Sequence, residues 1–295
     1  MARYTRSGAD VKPVAFDYSA PESVDEALQL LAEHGGEARV LAGGQSLIPL
    51  LNLRLAQPSV IVDINRLREL DGLECRDGTL WIRAVTRESI VERSSVVADR
   101  WPLLREASRC IGHDAIRNRG TVGGSAAHAD PSGELPAALT ALNARFHAAS
   151  ARGSRVIAGR DFFVGHFTSA LHEDELLVQI EIPPLPSRTG TAFVEFARKH
   201  GDFALAGAAV CITLDDDGRC RDAAIALLAA SIVPLRCSAA EAALTGQTVD
   251  SAVALEAAAR AATESDPPDP ADYRRALIER CVEQAVLLAA ERARG

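Results

Sequence analysis

Three prolines in four residues, Pro183-Pro184-Leu185-Pro186, limit what this chain can fold into. Proline has no amide to give a sheet ladder and stiffens a linker, so the stretch through Ser187 is a domain boundary. With 295 residues and about 100–200 residues per domain, a two-domain chain is expected. The pattern changes across the boundary. Beyond it come three long strand candidates, Thr191–Ala197, Ala204–Leu214 and Cys220–Ala229, the last two joined by the turn sequence Asp215-Asp216-Asp217-Gly218. Three Ala-rich helices follow, near Ser238–Leu244, Ser251–Ala262 and Ala271–Ala293, with the Asp266–Pro270 turn before the last. An antiparallel sheet backed by helices is the α+β arrangement this order predicts.

Before the boundary the elements are shorter. Residues 1–12 are polar and basic and read as a mobile tail. Ser23 and Glu26 form a capping-box pair ahead of Val24, Ala27, Leu28 and Leu31, and Gly35-Gly36 closes that helix. Arg39–Ala42 and Val60–Ile64 read as strands, and Leu47–Leu55 as a helix or a tight turn. Leu73–Arg83 reads as a hairpin turning at Asp77-Gly78. Helices are expected near Arg87–Ser94, Pro102–Ser108 and Glu134–Leu142, and strands at Arg145–Ala148, Ser154–Ile157 and Leu176–Ile182.

Composition removes several functions. Lys and Arg number 32 against 40 Asp and Glu, a net charge of −8 with no basic cluster, so nucleic acid and anionic membrane lack their electrostatic footprint. Aromatics are 4%, too few for base-stacking platforms, and the core must be built from Ala, Leu, Val and Ile. No apolar run is long enough to span a bilayer, and the first residues carry no apolar signal region. The six cysteines form no C-x-x-C pair, so zinc-ribbon and ferredoxin-type sites lack their local ligands. A reduced, cytoplasmic, soluble protein with cysteines as small buried hydrophobes is expected.

Two segments share a grammar: an apolar run, then Gly-Gly, then hydroxyl or amide residues. They are Ala42-Gly43-Gly44-Gln45-Ser46 and Thr121-Val122-Gly123-Gly124-Ser125. Glycine lets backbone N–H groups approach a phosphate, and successive N–H groups form an anion-binding nest. The same pairs also serve as plain turns. Neither a P-loop nor a G-x-G-x-x-G fingerprint occurs.

Extended through Leu47-Ile48-Pro49 and Ala126-Ala127-His128-Ala129-Asp130-Pro131, these segments resemble the two FAD signatures of the flavoprotein (medium) subunit of molybdenum hydroxylases, the carbon monoxide dehydrogenase and xanthine dehydrogenase family. Ala197-Arg198-Lys199-His200-Gly201-Asp202-Phe203-Ala204 resembles a third motif, and the opening Phe16-Asp17-Tyr18 and Pro21 also fit. The resemblance covers about residues 14–292. It implies a two-subdomain PCMH-type FAD-binding domain over 13–186 and a C-terminal α+β domain over 187–295 with a three-stranded antiparallel sheet and helices. It implies that Ala42, Gly43, Gly44, Gln45, Ser46 and Leu47, with Thr121, Val122, Gly123, Gly124 and Ser125, hold a non-covalent FAD by its pyrophosphate. Glu134 falls where the family's acidic residue meets the ADP part; the family more often has Asp there, and Asn at the position of Ser125. Ile111 and Leu177 fall beside the flavin ring.

Arg198, Lys199 and Asp202 read either as groups orienting the flavin edge or as a solvated strand end. His128, His113, Asp114 and Cys110 carry no pattern that makes them catalytic, so no catalytic residue and no metal ligand is expected on this chain. The resemblance implies electron transfer from [2Fe-2S] clusters of a small subunit, through FAD, to an external acceptor. It implies a large molybdopterin subunit as the second partner, in a dimer of heterotrimers. The competing readings are a stand-alone PCMH-type flavin oxidoreductase with its own substrate pocket and an assembly module that has lost its cofactor. The low aromatic content disfavours the first and the intact Gly-Gly segments the second.

Overall fold

The computed structural model describes residues 2–3 and 12–295. Of the stretch read as a tail, Ala2–Arg3 pairs antiparallel with Asp17–Ser19, and residues 4–11 lie outside the described residues. Asp17–Ser19 and Ala38–Leu41 both pair parallel to Val60–Asp63. Parallel strands need a crossover, and the helix Val24–His34 supplies the one from Asp17–Ser19 to Ala38–Leu41, which flank Val60–Asp63 on either side, burying Ala27, Leu28 and Leu31 against Val60 and Val62. Its N-cap is the expected one: Ser23 Oγ accepts from Glu26 N–H, while Glu26 reaches back to the N–H of Glu22. Gly35, at φ 49°, turns the chain out of the helix.

The second sheet is antiparallel, in the order Leu73–Arg76, Thr79–Arg83, Leu176–Ile182, Arg145–Ser150, Gly153–Ala158. Asp77 and Gly78 both have positive φ, as a tight hairpin between right-twisted strands requires. Helices Glu88–Arg93, Pro102–Cys110 and Glu134–Ala141 cover this sheet around Trp101, Phe146 and Phe162. A further helix, Ser95–Arg100, was not legible; it is six residues long and its signal is the single N-cap Ser94.

Beyond the prolines, Thr189–Phe196, Ala206–Leu214 and Cys220–Leu228 form the expected antiparallel sheet, which also carries a two-residue fourth strand, Leu235–Arg236. Helices Ser238–Leu244, Ser251–Glu264 and Ala271–Arg294 cover one face. The other face is not free. Every residue of Ala206–Leu214 is buried. Ala208, Val210 and Ile212 face the C-terminal helices, while Ala209 and Cys211 join the core around Trp101. The two-residue period of a strand thus serves two cores at once. Trp101 Nε1 donates to the Pro183 carbonyl, pinning the linker. Glu106 accepts from the Phe193 N–H and pairs with Arg292, closing the same junction.

Small residues set the helix-to-sheet spacing. A Cβ on Gly190 would lie 2.0 Å from the Ala289 carbonyl oxygen. Gly190→Ala should therefore lift the C-terminal helix from the sheet and cost at least about 2 kcal/mol by urea unfolding, beyond a mere propensity change; a change within about 0.5 kcal/mol would contradict this packing.

Candidate functional site

The parallel sheet ends where Ala38–Leu41 runs into Ala42-Gly43-Gly44-Gln45-Ser46, ahead of the short helix Leu47–Asn52. Ligands in open α/β sheets gather outside such carboxyl ends. The segment is electrically one-sided. All its carbonyls but that of Gln45 are occupied: Ala42 O accepts from Asn65 Nδ2, Gly43 O from Gln45 Nε2, Gly44 O from Ile48 N–H and Ser46 O from Leu50 N–H. Among the described residues, the N–H groups of Gly43, Gly44, Gln45, Ser46 and Leu47 have no partner. Gly44 has φ 74°, which only glycine adopts without strain. A row of unpaired amides at a turn is an anion nest. Ser46 makes no capping bond, so its hydroxyl is available beside them.

The second Gly-Gly segment differs from expectation. It is the first turn of a helix, Val122–His128, with Thr121 as N-cap. Gly124 N–H donates to Thr121 Oγ1, Val122 N–H to Thr86 O, Gly123 N–H to Ala84 O and Ser125 N–H to Thr121 O. Its amides are spent on the protein, so this segment is no nest. The reason for Gly123 is contact: a Cβ there would lie 2.6 Å from the Ala84 carbonyl oxygen. The half-buried Ser125 hydroxyl is left without a protein partner.

The two segments nevertheless meet. A Cβ on Gly43 would lie 2.6 Å from Arg119 O and 2.8 Å from Gly120 Cα. A polar chain braces this contact. Tyr18 Oη donates to Asp63 Oδ2 (2.6 Å), and Asn65 Nδ2 donates to Asp63 Oδ1 and to the Ala42 carbonyl. Arg87 donates from Nη2 to Asn65 Oδ1 (2.8 Å) and from Nη1 to the Arg119 carbonyl (2.6 Å). The Asp63 hydrogen bond raises the Tyr18 pKa. Burial, and then the Arg119 charge, lower that of Arg87. No sequence signal identifies Asn65 or Arg87, because each acts through a partner remote in the chain.

From Gly120 the site continues through acids. A Cβ on Gly120 would strike the Glu88 carboxyl. Glu88 is 5% exposed and its Oε2 has no partner. Burial pushes its pKa up to about 8 against the opposing charge of Arg117. Glu134, half-buried at the start of its helix, is pushed up to about 8 by burial, with Glu195, Glu88 and Asp130 adding repulsion. Burial raises Glu195 to about 7, and a hydrogen bond from the Cys110 thiol partly offsets this. Burial and Glu195 push Cys110 up to about 12, so it is no thiolate nucleophile. Of these three acids the sequence motif points to Glu134 alone; Glu88 and Glu195 lie in no motif.

Cys110 leads to Ile111, the C-cap of its helix, and to Gly112. A Cβ on Gly201 would lie 2.6 Å from the Gly112 carbonyl oxygen, so the Lys199–Asp202 turn of the C-terminal sheet rests on this segment. Lys199 and Asp202 pair with each other at 3.7 Å. Leu177 is buried on its strand, at a shift in register with Arg145–Ser150. A chain of contacts thus runs from Gly43 through Gly120 and Glu88 and, at the Ile111–Gly112 segment, on to the Lys199–Asp202 turn, whereas Leu177 stands apart on its strand. Among the described residues no cluster of His, Cys, Asp or Glu could hold a metal, and no helix is long and apolar enough to cross a membrane. All six cysteines are free; Cys75 is exposed and Cys110 half-buried, unlike the buried remainder.

Comparison with known proteins gives two family matches. Residues 14–185 match the FAD binding domain in molybdopterin dehydrogenase, and residues 191–289 the CO dehydrogenase flavoprotein C-terminal domain. The 6-hydroxypseudooxynicotine dehydrogenase complex subunit alpha of Paenarthrobacter nicotinovorans is 44% identical over 96% of this chain and 97% of its own. The carbon monoxide dehydrogenase medium chain of Afipia carboxidovorans is 38% identical over 92% and 97%. A chain of the carbon monoxide dehydrogenase from Hydrogenophaga pseudoflava, solved without the Mo-pyranopterin moiety of its cofactor, superposes with a TM-score of 0.92 at 39% identity, covering 95% of this chain and 99% of that one.

Two measurements test the geometry. Gly43→Val should force the two segments apart and weaken FAD binding by at least about tenfold, roughly 1.4 kcal/mol, in a chain that stays folded. Gly35→Ala, a strained cap remote from this contact, should leave FAD bound and cost about 1 kcal/mol of stability; equal FAD loss in both would make the segment merely structural. Glu88 has its folded pKa raised above the ordinary 4.5 to about 8. The folded state therefore holds its proton longer than the unfolded chain. This group favours folding below about pH 4.5, and that advantage is lost as pH rises through about 8. Glu88→Gln should stabilise the apoprotein by about 1–3 kcal/mol near pH 9 and little near pH 5; the same difference at both would exclude a buried neutral acid.

Proposed function

Since this chain belongs to the FAD-binding flavoprotein subunits of the molybdopterin dehydrogenases, we propose that it takes electrons from [2Fe-2S] clusters on a small partner subunit and passes them through FAD to an external acceptor. It is an oxidoreductase subunit of the xanthine dehydrogenase family. FAD, when bound, supplies a redox centre that can be filled and emptied by one or two electrons.

The observation that carries the reading is the row of five unpartnered amides at Gly43–Leu47, braced against Arg119-Gly120. It suits a pyrophosphate and needs neither Lys nor metal. Ala42 through Leu47 form that cradle, with the Ser46 and Ser125 hydroxyls as neutral donors. Thr121, Val122, Gly123 and Gly124 fix the facing backbone. Glu134 accepts from a sugar hydroxyl of the ADP part. Ile111 and Leu177 lie against the ring, and Lys199 and Asp202 at its edge. The FAD is held non-covalently on this reading, and burial keeps the Cys110 thiol from acting as a nucleophile toward it.

The partners are a large molybdopterin subunit and a small iron–sulfur subunit, assembled as a dimer of heterotrimers. Substrate chemistry belongs to the large subunit. The names of the relatives, a complex subunit alpha and a medium chain whose lengths this chain spans almost fully, support the subunit reading. Six free cysteines suit the cytoplasm.

Acid precipitation of the FAD-loaded chain should leave all flavin in the supernatant; a yellow pellet would exclude non-covalent binding. The loaded chain alone should reduce no dye with a heterocycle or other small substrate until the molybdenum and iron–sulfur subunits are added. Substrate turnover by this chain with FAD alone would replace the subunit reading with a stand-alone oxidoreductase.

A further inference from the structure

Arg117 has no part in the pyrophosphate cradle, yet it is the most thoroughly buried cation near the site. It is 5% exposed. Its Nε donates to Glu92 Oε2 at 2.8 Å, its Nη2 pairs with Asp114, and its Nη1 donates to the Ile111 carbonyl at 2.9 Å. Burying a guanidinium is costly unless every charge and donor is matched. Here the matching groups come from three places: helix Glu88–Arg93, the Asp114 turn, and the end of helix Pro102–Cys110. The planar fork fixes their mutual geometry, which a lysine point charge does not.

What the fork holds is a narrow strip of backbone. Gly112 has φ 44°, and a Cβ there would press on Ile116 at 3.2 Å. From the other side Gly201, at φ 83°, brings its Cα against the Gly112 carbonyl. The Ile111–Gly112 segment is therefore gripped by Arg117 from within the FAD-binding domain and by the Lys199–Asp202 turn from the C-terminal domain.

We propose that Arg117 is a positioning residue for the flavin ring, holding the Ile111–Gly112 backbone that forms one wall of the ring site through its bonds to Glu92 and the Ile111 carbonyl. It touches neither the ring nor the phosphates. The proposal rests on the reading that FAD binds with its ring at Ile111. Loss of the fork loosens that wall and leaves the pyrophosphate cradle intact.

The test uses the full chain, with and without FAD, as wild type, Arg117→Lys and Glu92→Gln. Glu92→Gln keeps a hydrogen-bond acceptor and covers the case in which Arg117→Lys fails to fold. In the apoprotein, amide exchange over 110–113 should rise several-fold in the variants and stay unchanged over 43–47. With FAD added, affinity should hold, while flavin fluorescence rises several-fold, visible circular dichroism of the flavin falls and its midpoint potential shifts. Unchanged exchange at 110–113 together with unchanged flavin spectra in a folded variant would overturn the proposal. Raised exchange at 110–113 without any change in the bound flavin would also overturn it, since the wall would then not serve the ring. A wild-type chain that binds no FAD would instead defeat the underlying functional reading, which this design separates from the first two outcomes.

Discussion

The close approach of Gly43 to the Arg119-Gly120 backbone is the contact on which the site depends. It is one of the places where the small parallel sheet meets the antiparallel-sheet domain, with which it also shares a core through Val85 and Leu176, and it leaves no room for a Cβ. Everything around it serves to hold that approach. Asn65 ties the Ala42 carbonyl, Arg87 ties the Arg119 carbonyl, and Asp63 and Tyr18 anchor the pair. With the backbone fixed on both sides, the amides of Gly43–Leu47 are left without protein partners. Unpaired amides are tolerable at a surface and become valuable only when an anion arrives. The apparent cost of the loop is thus the source of its binding capacity.

The two glycine pairs look alike in sequence and act differently. Gly44 supplies a positive φ that opens the nest. Gly123 and Gly124 supply closeness inside a helix turn whose amides are already used. Local grammar cannot separate these cases, because the difference lies in Thr86 and Ala84, 36 and 39 residues earlier in the chain, which receive the Val122 and Gly123 amides. The same limit explains Asn65, Arg87, Glu88 and Arg117. Each is a polar residue in an ordinary polar stretch with no motif around it, and each acquires its role only through groups elsewhere in the chain. By contrast, the helix capped by Ser23, the Asp77-Gly78 hairpin and the long strands after the proline run were legible, since their causes are local: a cap, a turn and a two-residue period.

The proline run marks a true change of architecture but not a gap. The C-terminal sheet is covered on both faces, and the alternation along Ala206–Leu214 is hidden in sequence because both faces are apolar. Small residues throughout, Ala and Gly above all, let helix and sheet approach closely in a core with few aromatics. The result is a rigid junction at Glu106, Phe193 and Arg292, which brings the Lys199–Asp202 turn onto Gly112. On the functional reading proposed above, the cradle lies in the N-terminal part of the chain and the C-terminal part completes the ring site. This division fits a subunit that must hold one end of a cofactor tightly while presenting the other to partners.

The central claim is that the amides of Gly43–Leu47, and not those of the second glycine pair, receive the FAD pyrophosphate. Hydrogen exchange resolved to these segments, with and without FAD, tests it most directly. FAD addition should bring strong new protection over 43–47 and almost none over 122–125, whose amides are already bonded. Protection confined to 122–125, or no change at 43–47 while FAD is bound, would contradict it.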